Sequence, residues 1–225
     1  MAEIETEVFT TDGTKPFLRL YKEEFVRPLG SDMTTGRIRI GLLMSISDTG
    51  GNLGATTFFT GLCSSPDSPF TDAGCIHAMG WRQSGTMARS TGAGNPYYSG
   101  SSFHAIKRIN GVDNTQTTSS FIPAFASNSG ILQRRSALIV DITLWNQVNA
   151  WASTTAQVVT DIGPSDFLEV MENNTAIYNT NTLTASANQV LAGTSTVTLN
   201  TLNIYWDNGL APLEIYTVAI YRYNF

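Results

Sequence analysis

Charged side chains are scarce in this chain. Of its 225 residues, 14% are Asp, Glu, Lys or Arg, whereas an average soluble protein has roughly 25%. Because 42% of the residues are hydrophobic, the chain is not of the weakly hydrophobic, highly charged kind that stays disordered. Its polar surface must therefore consist mainly of Thr, Ser, Asn and Gly, a composition typical of β-rich proteins of extracellular surfaces and virus particles.

Basic stripes are also missing. The net charge is −5, and the 13 Lys and Arg residues are scattered along the sequence. The only near neighbours are Arg37 with Arg39, Lys107 with Arg108, and Arg134 with Arg135. Since binding to a phosphate backbone requires a continuous basic surface, we expect no nucleic-acid partner.

No stretch approaches the run of about 18 apolar residues that spans a bilayer, so we expect no membrane insertion. The first seven residues are acidic and lack the basic and apolar regions of a secretory signal. We therefore expect synthesis in the cytoplasm without a signal peptide, followed by location in a virion or other released particle.

Cysteine and histidine are too few for most catalytic or metal sites. Cys63 and Cys75 flank a segment rich in Pro, Gly and Ser. The sequence is compatible with a disulfide between them and with two reduced thiols. His77 and His104 lie at no metal-ligand spacing, and no Gly-x-Ser-x-Gly elbow accompanies them. A zinc site and a Ser-His-Asp triad are therefore not predicted.

The clearest pattern in the sequence is at its C-terminal end. Two β-rich runs, 196–206 and 213–223, flank an Asp-Asn-Gly turn, which predicts a terminal hairpin. The alternation of the first run slips near Asn200–Thr201, where we predict a bulge. The second run is apolar or aromatic on both parities, which is typical of a strand covered on both faces.

Other strands follow at regular spacing. The runs 37–46 and 136–145 alternate strongly, 56–63 is expected to pair with the first of these, and 167–171 is expected to be a short strand. No convincing amphipathic helix is visible, although 146–152 suits one helical turn. The pattern predicts an all-β fold, an antiparallel β-sandwich of jelly-roll type.

The N-terminal residues differ from the rest in their density of Glu and Lys. We therefore divide the chain into residues 1–36, an N-terminal strand or assembly arm, and residues 37–225, the β-sandwich domain. The arm would add to a sheet edge or reach a neighbouring subunit.

Four runs together resemble the concanavalin A-like, laminin-G-type sandwich: Ile38–Ile46, Thr57–Leu62, Leu138–Trp145 and Leu213–Tyr221. The resemblance covers about residues 36–225 by architecture, and no binding motif of the family matches, so no binding residue is carried over. It implies a concanavalin A-like fold of the kind found in fibre, baseplate and surface proteins of phages and tail-like particles.

One acidic cluster merits comparison with a glycosidase site. Asp166, Glu169 and Glu172 are spaced i, i+3 and i+6. In a strand this spacing puts Glu169 on the face opposite the other two, which does not match the paired carboxylates of glycoside hydrolysis. We therefore expect no enzyme activity; a hydrolase would need these acids to converge with another.

Calcium is the one candidate cofactor, because Asp and Asn oxygens are ligands that it prefers. Asx-rich turns of this kind also form for local backbone reasons. Three predicted turns carry such pairs: Asp48 with Asn52, Asp113 with Asn114, and Asp207 with Asn208.

Sugar binding needs aromatic platforms beside hydrogen-bonding side chains. Trp151, with Asn149 close by, and Tyr97 and Tyr98 in a Gly/Ser-rich stretch are the predicted glycan-binding residues. Trp145 and Trp206 end strongly patterned strands and are expected to pack in or around the core.

The sequence thus predicts a non-enzymatic structural protein of a virion or phage-tail-like particle. Its partners would be further copies of itself, other particle proteins and a surface glycan. The alternatives are a free carbohydrate-binding module and a glycan hydrolase on the same fold.

Overall fold

A computed structural model describes most of the chain. It covers residues 4–12, 15–33, 36–46, 50–52, 54–63, 77–83, 88–90, 97–99, 103–109, 112–121, 135–146, 150–160, 164–173, 180–181, 187–190, 199–207 and 212–223.

The described residues form sixteen strands and one helix. In chain order they are β1 (Ile4–Thr10), β2 (Leu18–Leu20), β3 (Lys22–Met33), β4 (Gly36–Ile46), β5 (Thr56–Cys63), β6 (His77–Gln83), β7 (Ala88–Ser90), β8 (Tyr97–Ser99), β9 (Phe103–Ile109), β10 (Val112–Phe121), β11 (Ser136–Asn146), β12 (Ala150–Thr160), α1 (Pro164–Asn173), β13 (Thr180–Asn181), β14 (Ala187–Val190), β15 (Leu199–Asp207) and β16 (Leu213–Tyr223).

The strands build two large antiparallel sheets. The eight-stranded sheet has the order β1-β16-β4-β11-β12-β13, with β2 also on β16 and β14 also on β12. The six-stranded sheet has the order β10-β9-β6-β5-β15-β3, and β7 pairs with β8 separately. The predicted antiparallel β-sandwich is therefore confirmed.

Strand β4 lies near the middle of the eight-stranded sheet and is buried on both faces. The alternating residues Ile38, Ile40 and Leu42 have no exposed surface, and they face the sandwich interior. Leu43, of the opposite parity, is equally buried. The predicted burial of β16 on both faces is also confirmed, because nine of its eleven residues are buried.

The predicted C-terminal hairpin is wrong. β15 pairs with β3 and β5 in one sheet, whereas β16 pairs with β4 on one side and with β1 and β2 on the other. Each strand already has a neighbour on both sides, and the two strands belong to different sheets. The predicted bulge is present, as a register shift between Leu199 and Thr201.

The expected pairing of 56–63 with 37–46 is also wrong, because β5 and β4 belong to different sheets. Local alternation identifies a strand but does not select its partner. The helical turn predicted at 146–152 does not form in the described part of that segment, since β12 begins at Ala150.

The strand predicted at 167–171 is part of helix α1. Pro164 occupies the first position of the helix, where proline is favoured, and Asp166 lies in the first turn. Phe167, Val170 and Met171 repeat at i, i+3 and i+4, the spacing of an apolar helix face. That spacing was the missed signal, in a window too short for periodicity to separate strand from helix.

Strands from the N-terminal residues belong to both sheets. β1 pairs with β16 from Ile4↔Tyr223 to Thr10↔Thr217, and β3 pairs with β15. Strand addition to an edge, one of the two expected roles of these residues, thus occurs within the chain. The division at residue 36 stays a prediction.

Helix α1 covers the outer face of the eight-stranded sheet, which we define as the face that carries Leu43, Ala137 and Ala219. Phe167, Val170 and Met171 pack there against Leu43, Ala137, Ile139, Ala219 and Tyr221. Gly41 lies beneath the helix. A Cβ atom at this position would come 2.8 Å from Phe167 Cζ and closer still to Met171 Sδ, so any side chain here would displace Met171 and Phe167.

Gly41→Val should therefore destabilise the fold by about 1–3 kcal/mol through overpacking beneath α1. Gly51→Ala is the matched control, because a Cβ there meets nothing within 4 Å. Urea denaturation of both variants measures the difference. Equal unfolding midpoints would show that the helix is not seated closely on Gly41.

Candidate functional site on the outer face of the eight-stranded sheet

Arg39 joins the sheet to the end of helix α1. Its side chain is 2% exposed. Nε donates to Asp141 Oδ1 at 2.8 Å, and Nη2 donates to Oδ2 at 3.0 Å. Nη1 donates to the backbone carbonyl of Met171 at 2.9 Å, one of the carbonyls that a helix C-terminus leaves without an intrahelical partner. Arg39 therefore fixes both the strand pair and the helix.

Arg37 shares the same carboxylate but reaches the surface. It donates to Asp141 Oδ1 through Nη2 at 3.0 Å and through Nε at 3.3 Å. Its side chain is 35% exposed, and its Cζ lies 5.5 Å from the centre of the Tyr223 ring. A guanidinium held by a carboxylate and an aromatic ring keeps further N–H donors for a ligand in a fixed direction.

The strand register extends this cluster into a polar row. Thr143 is opposite Arg37, Ser153 is opposite Thr143, and Asn188 is opposite Ser153. Two residues further along β11 from Thr143, Trp145 is directly opposite Trp151 of β12. Both tryptophans share the parity of Asp141, so their positions belong to the outer face.

The structure places the predicted glycan-binding residues in separate parts of the fold. Trp151 lies in the eight-stranded sheet, and Tyr97 and Tyr98 lie in β8, opposite Ser90 and Arg89. Asn149 is outside the described residues, in the interval between β11 and β12. Their role in glycan binding stays a prediction.

Sequence reasoning missed the cluster around Arg37. Arg37, Tyr223 and Asp141 come from three strands that are distant along the chain, and only the register brings them together. Trp145, expected at the core or rim, is the residue opposite Trp151. The Arg-x-Arg of 37–39 was visible as two basic residues on one strand parity, but nothing in the sequence linked it to Asp141.

The acidic cluster lies on α1 and not on a strand, so the face assignment from strand geometry is wrong. Asp166 is half-buried, and Glu169 and Glu172 are exposed. Glu172 also affects Tyr221: burial raises the pKa of the Tyr221 hydroxyl above 10, Glu172 and Tyr223 raise it further, and Arg39 lowers it.

Of the predicted calcium turns, Asp113–Asn114 is wrong, because both residues lie in β10 opposite Arg108 and Lys107. Asp207 ends β15 and accepts a hydrogen bond from Tyr205 Oη at 3.2 Å. Asp48 and Asn208 are outside the described residues. Within the described ranges, no group of three or more His, Cys, Asp and Glu side chains is placed to hold a metal ion.

The six-stranded sheet carries a second polar row on its parity away from Trp206 and Phe58. The half-buried Asp207 and Thr57 are opposite each other in it. From strand to strand the row runs Lys22, Asp207, Thr57, Arg82, His104 and Ser120. Both sheets thus have polar register positions on their outward parity. Among the described elements, only the eight-stranded sheet has a helix packed on that side.

No protein-family model matches the chain, and no curated protein matches it. Helix α1 has ten residues, and within the described part of the chain no helix is long and apolar enough to cross a membrane.

Several solved structures are similar in fold. The CBM2 module of the evolved Dit of Lactobacillus casei BL23 phage J-1 is 8% identical, with a TM-score of 0.42 over 90% of this chain and 69% of that one. The VIP36 exoplasmic/lumenal domain, in its Ca2+/Man2-bound form, is 7% identical, with a TM-score of 0.46 over 96% and 80%. Lectin I from Ulex europaeus, in complex with the methyl glycoside of α-L-fucose, is 10% identical, with a TM-score of 0.40 over 97% and 98%.

An alginate lyase, Aly36B, is similar at 8% identity, with a TM-score of 0.39 over 97% of this chain and 87% of that one. The similarities concern the arrangement of the sheets. Several of these matches have the lectin-type sandwich architecture that the sequence resembles.

The pairing of Arg39 with Asp141 should dominate local stability. Asp141→Asn leaves a buried guanidinium without its counter-charge, so the free energy of unfolding should fall by about 3–5 kcal/mol. Arg37→Gln, at the partly exposed arginine of the same cluster, should cost about 0–1 kcal/mol. Urea denaturation at neutral pH compares the two variants. Equal losses in the free energy of unfolding would contradict the dominant role of the Arg39–Asp141 pair.

Stability should decline as the pH rises past about 10, because the unfolded chain then releases the Tyr221 proton while the folded chain retains it. Tyr221→Phe removes this contribution. Its free energy of unfolding should fall less steeply than that of the unsubstituted protein across that pH range. Urea titrations at several pH values measure the two slopes, and identical slopes would refute a raised pKa at Tyr221.

Proposed function

We propose that this protein is a non-enzymatic structural component of a virion or phage-tail-like particle. Its sandwich would oligomerise and contact a surface glycan at the end of the outer face that carries Trp145 and Trp151. The observation that supports the glycan site best is the register pairing of these two tryptophans, two residues along β11 from Thr143, which is opposite Arg37.

Two indoles at opposite register positions would offer the flat apolar surface against which the C–H face of a sugar ring stacks. The Arg37 guanidinium, already held by Asp141, would donate hydrogen bonds to ring hydroxyls at little entropic cost. Thr143 and Ser153, in the adjoining row, would supply hydroxyl groups.

The particle role is supported by composition and architecture. Few charged residues and abundant Thr, Ser, Asn and Gly suit a protein packed among other subunits. In this proposal the protein is located in the particle, with further copies of itself and other particle proteins as partners.

A free carbohydrate-binding module is the second candidate, and the same tryptophan pair favours it. The two candidates differ in assembly, because a free module would remain a monomer near 24.4 kDa at all concentrations. Light scattering after size exclusion separates them. A hydrolase is less favoured, because the acids considered for it lie on α1, where Glu169 and Glu172 are exposed.

Trp151→Ala should weaken glycan binding about 30-fold or more, since loss of a central aromatic anchor typically costs about 2 kcal/mol or more. The probe is a printed array of neutral and acidic oligosaccharides, followed by titration calorimetry with the best ligand. Trp145→Ala should have a similar effect.

Tyr205→Phe, on the outward parity of the six-stranded sheet, is the control. Tyr98→Ala tests the other predicted glycan-binding position, in the separate β7–β8 sheet. If Tyr205→Phe or Tyr98→Ala abolished binding while Trp151→Ala left it intact, the glycan site would lie elsewhere on the sandwich. Circular dichroism of each variant verifies that it is folded.

A further inference from the structure

Strand β1 forms an open edge of the eight-stranded sheet. On one side it pairs with β16, from Ile4↔Tyr223 to Thr10↔Thr217. Among the described residues, no strand pairs with its other side. A strand in this position presents a row of backbone N–H and C=O groups that can pair with a further strand. The chemistry of this side of β1 therefore decides what can add to the sheet.

A hydrogen bond at the end of β1 shows which backbone groups point to the open side. The N–H of Thr11 donates to the carbonyl of Tyr216 at 3.1 Å, so Thr11 directs its backbone groups toward β16. Backbone groups alternate between the two sides of an antiparallel strand, and those of Phe9 and Glu7 therefore also point toward β16. The even-numbered residues of β1 direct theirs to the open side.

The same even-numbered residues expose their side chains. Thr6 and Thr10 are exposed, and Val8 is 37% exposed, whereas Glu7 and Phe9 are half-buried. The three exposed side chains are uncharged and β-branched, the type that strands favour. At these three positions β1 thus combines outward backbone groups with side chains that suit a strand neighbour.

The other edge strands have features that hinder such pairing. β3, at one edge of the six-stranded sheet, contains Lys22 and Pro28. β10, at the opposite edge, has a register shift between Thr115 and Ser120, and β13, at the far edge of the eight-stranded sheet, has two residues. Lysine, proline, bulges and shortness are the usual protection of a sheet edge. β1 contains neither lysine nor proline, and its register with β16 is unbroken.

We infer that β1 is the surface through which two copies of this chain pair, antiparallel to each other, about a two-fold axis at Val8. The eight-stranded sheets of the two protomers would then form one continuous sheet. This inference rests on the oligomerisation included in the proposed function, and it names the strand that performs it.

Charge selects the position of the two-fold axis. An axis at Glu7 would pair all seven residues of β1, but it would place two glutamates directly opposite each other, which is destabilising. An axis at Phe9 would leave only residues 8–10 of each strand paired. An axis at Val8 places Val8 opposite Val8, Thr6 opposite Thr10 and Glu7 opposite Phe9, so that no like charges meet.

The backbone of β1 is self-complementary about the same axis. The N–H of Val8 would donate to the carbonyl of the partner's Val8, and the reverse bond would form at the same time. Thr6 of each copy would exchange both backbone hydrogen bonds with the partner's Thr10, because all these groups point to the open side. Self-complementarity is the requirement of an isologous interface, and it is the argument for a second copy as the occupant.

The pairing leaves both tryptophan pairs accessible. β11 and β12 are separated from β1 by β16 and β4, so Trp145 and Trp151 lie away from the joined edges. Because residues that are opposite each other share a face, the outer faces of both protomers would point in the same direction. The dimer would then present two glycan sites to one surface, which raises avidity without any new contact.

Two matched double variants test the register, with sedimentation velocity of the full chain across a concentration series as the measurement. In Thr6→Lys/Thr10→Lys, like charges would lie opposite each other, and the dimer dissociation constant should rise about 10-fold or more. In Thr6→Lys/Thr10→Glu, opposite charges would lie there, and the constant should stay within about 3-fold of that of the unsubstituted chain. Both variants change the same exposed positions, so their difference reports the pairing.

Val8→Pro tests the backbone contact. The N–H of Val8 points away from β16, so its loss should leave the pairing with β16 intact, as at other edge positions that accept proline. The same substitution removes the donor to the partner. The dimer should therefore be lost, while circular dichroism and thermal unfolding show a folded monomer.

Amide hydrogen exchange of the unsubstituted chain, followed by NMR, gives a residue-by-residue measurement. The N–H groups of Thr6, Val8 and Thr10 should be protected only at concentrations at which the dimer forms. Those of Glu7 and Phe9 should be protected at every concentration, because they bond to β16. Protection of all five that does not change with concentration would contradict pairing between copies.

The possible failures are distinguishable. A chain that stays monomeric at every concentration overturns both the inference and the oligomeric part of the proposed function, and it is also the result if β1 binds an extended segment of a different protein. An oligomer that the two double variants weaken equally, or that Val8→Pro leaves intact, overturns the inference alone. If Val8→Pro fails to fold, the double variants decide. Glycan binding through Trp151 is measured separately and is unaffected by these outcomes.

Discussion

The burial of β4 and β16 on both faces is the constraint on which the rest of the structure depends. One face of these strands is apolar toward the sandwich interior, and the other needs a separate cover, which α1 supplies through Phe167, Val170 and Met171. Arg39 lies within this covered area, where an unpaired charge would be costly. Asp141 and the Met171 carbonyl satisfy it, so one side chain fixes the position of the helix that completes the core.

The position of α1 divides the outer face into regions with different chemistry. Beneath the helix the face is apolar and tightly packed around Gly41. Beyond its C-terminal end lie Arg37, Tyr223 and the paired tryptophan positions, and at the other end lies Arg19 with its partner Glu214. A short helix thus leaves two chemically distinct surfaces on one sheet.

Sequence patterns predicted correctly those features that depend only on the immediate environment of a single strand. Alternation in 37–46 and 136–145, burial on both faces of 213–223 and the slip near residue 200 all reflect contacts that each strand makes with its immediate environment. Pairing was poorly predicted, because β15 and β16 are adjacent in sequence but separate in the fold. The helix was missed because a ten-residue element gives few turns of periodicity, and its residues read equally well as a strand.

The sequence by itself determined the all-β class, the low surface charge and the aromatic residue at 151 as a candidate platform. These are properties of composition and local alternation, which need no knowledge of partners. Only the tertiary structure decided that Trp151 is opposite Trp145, that Arg37 and Arg39 share Asp141, and that α1 covers the middle of the outer face. Arg39 and Arg37 are 102 and 104 residues from Asp141 along the chain. Their proximity follows from strand order and register, which no local pattern encodes.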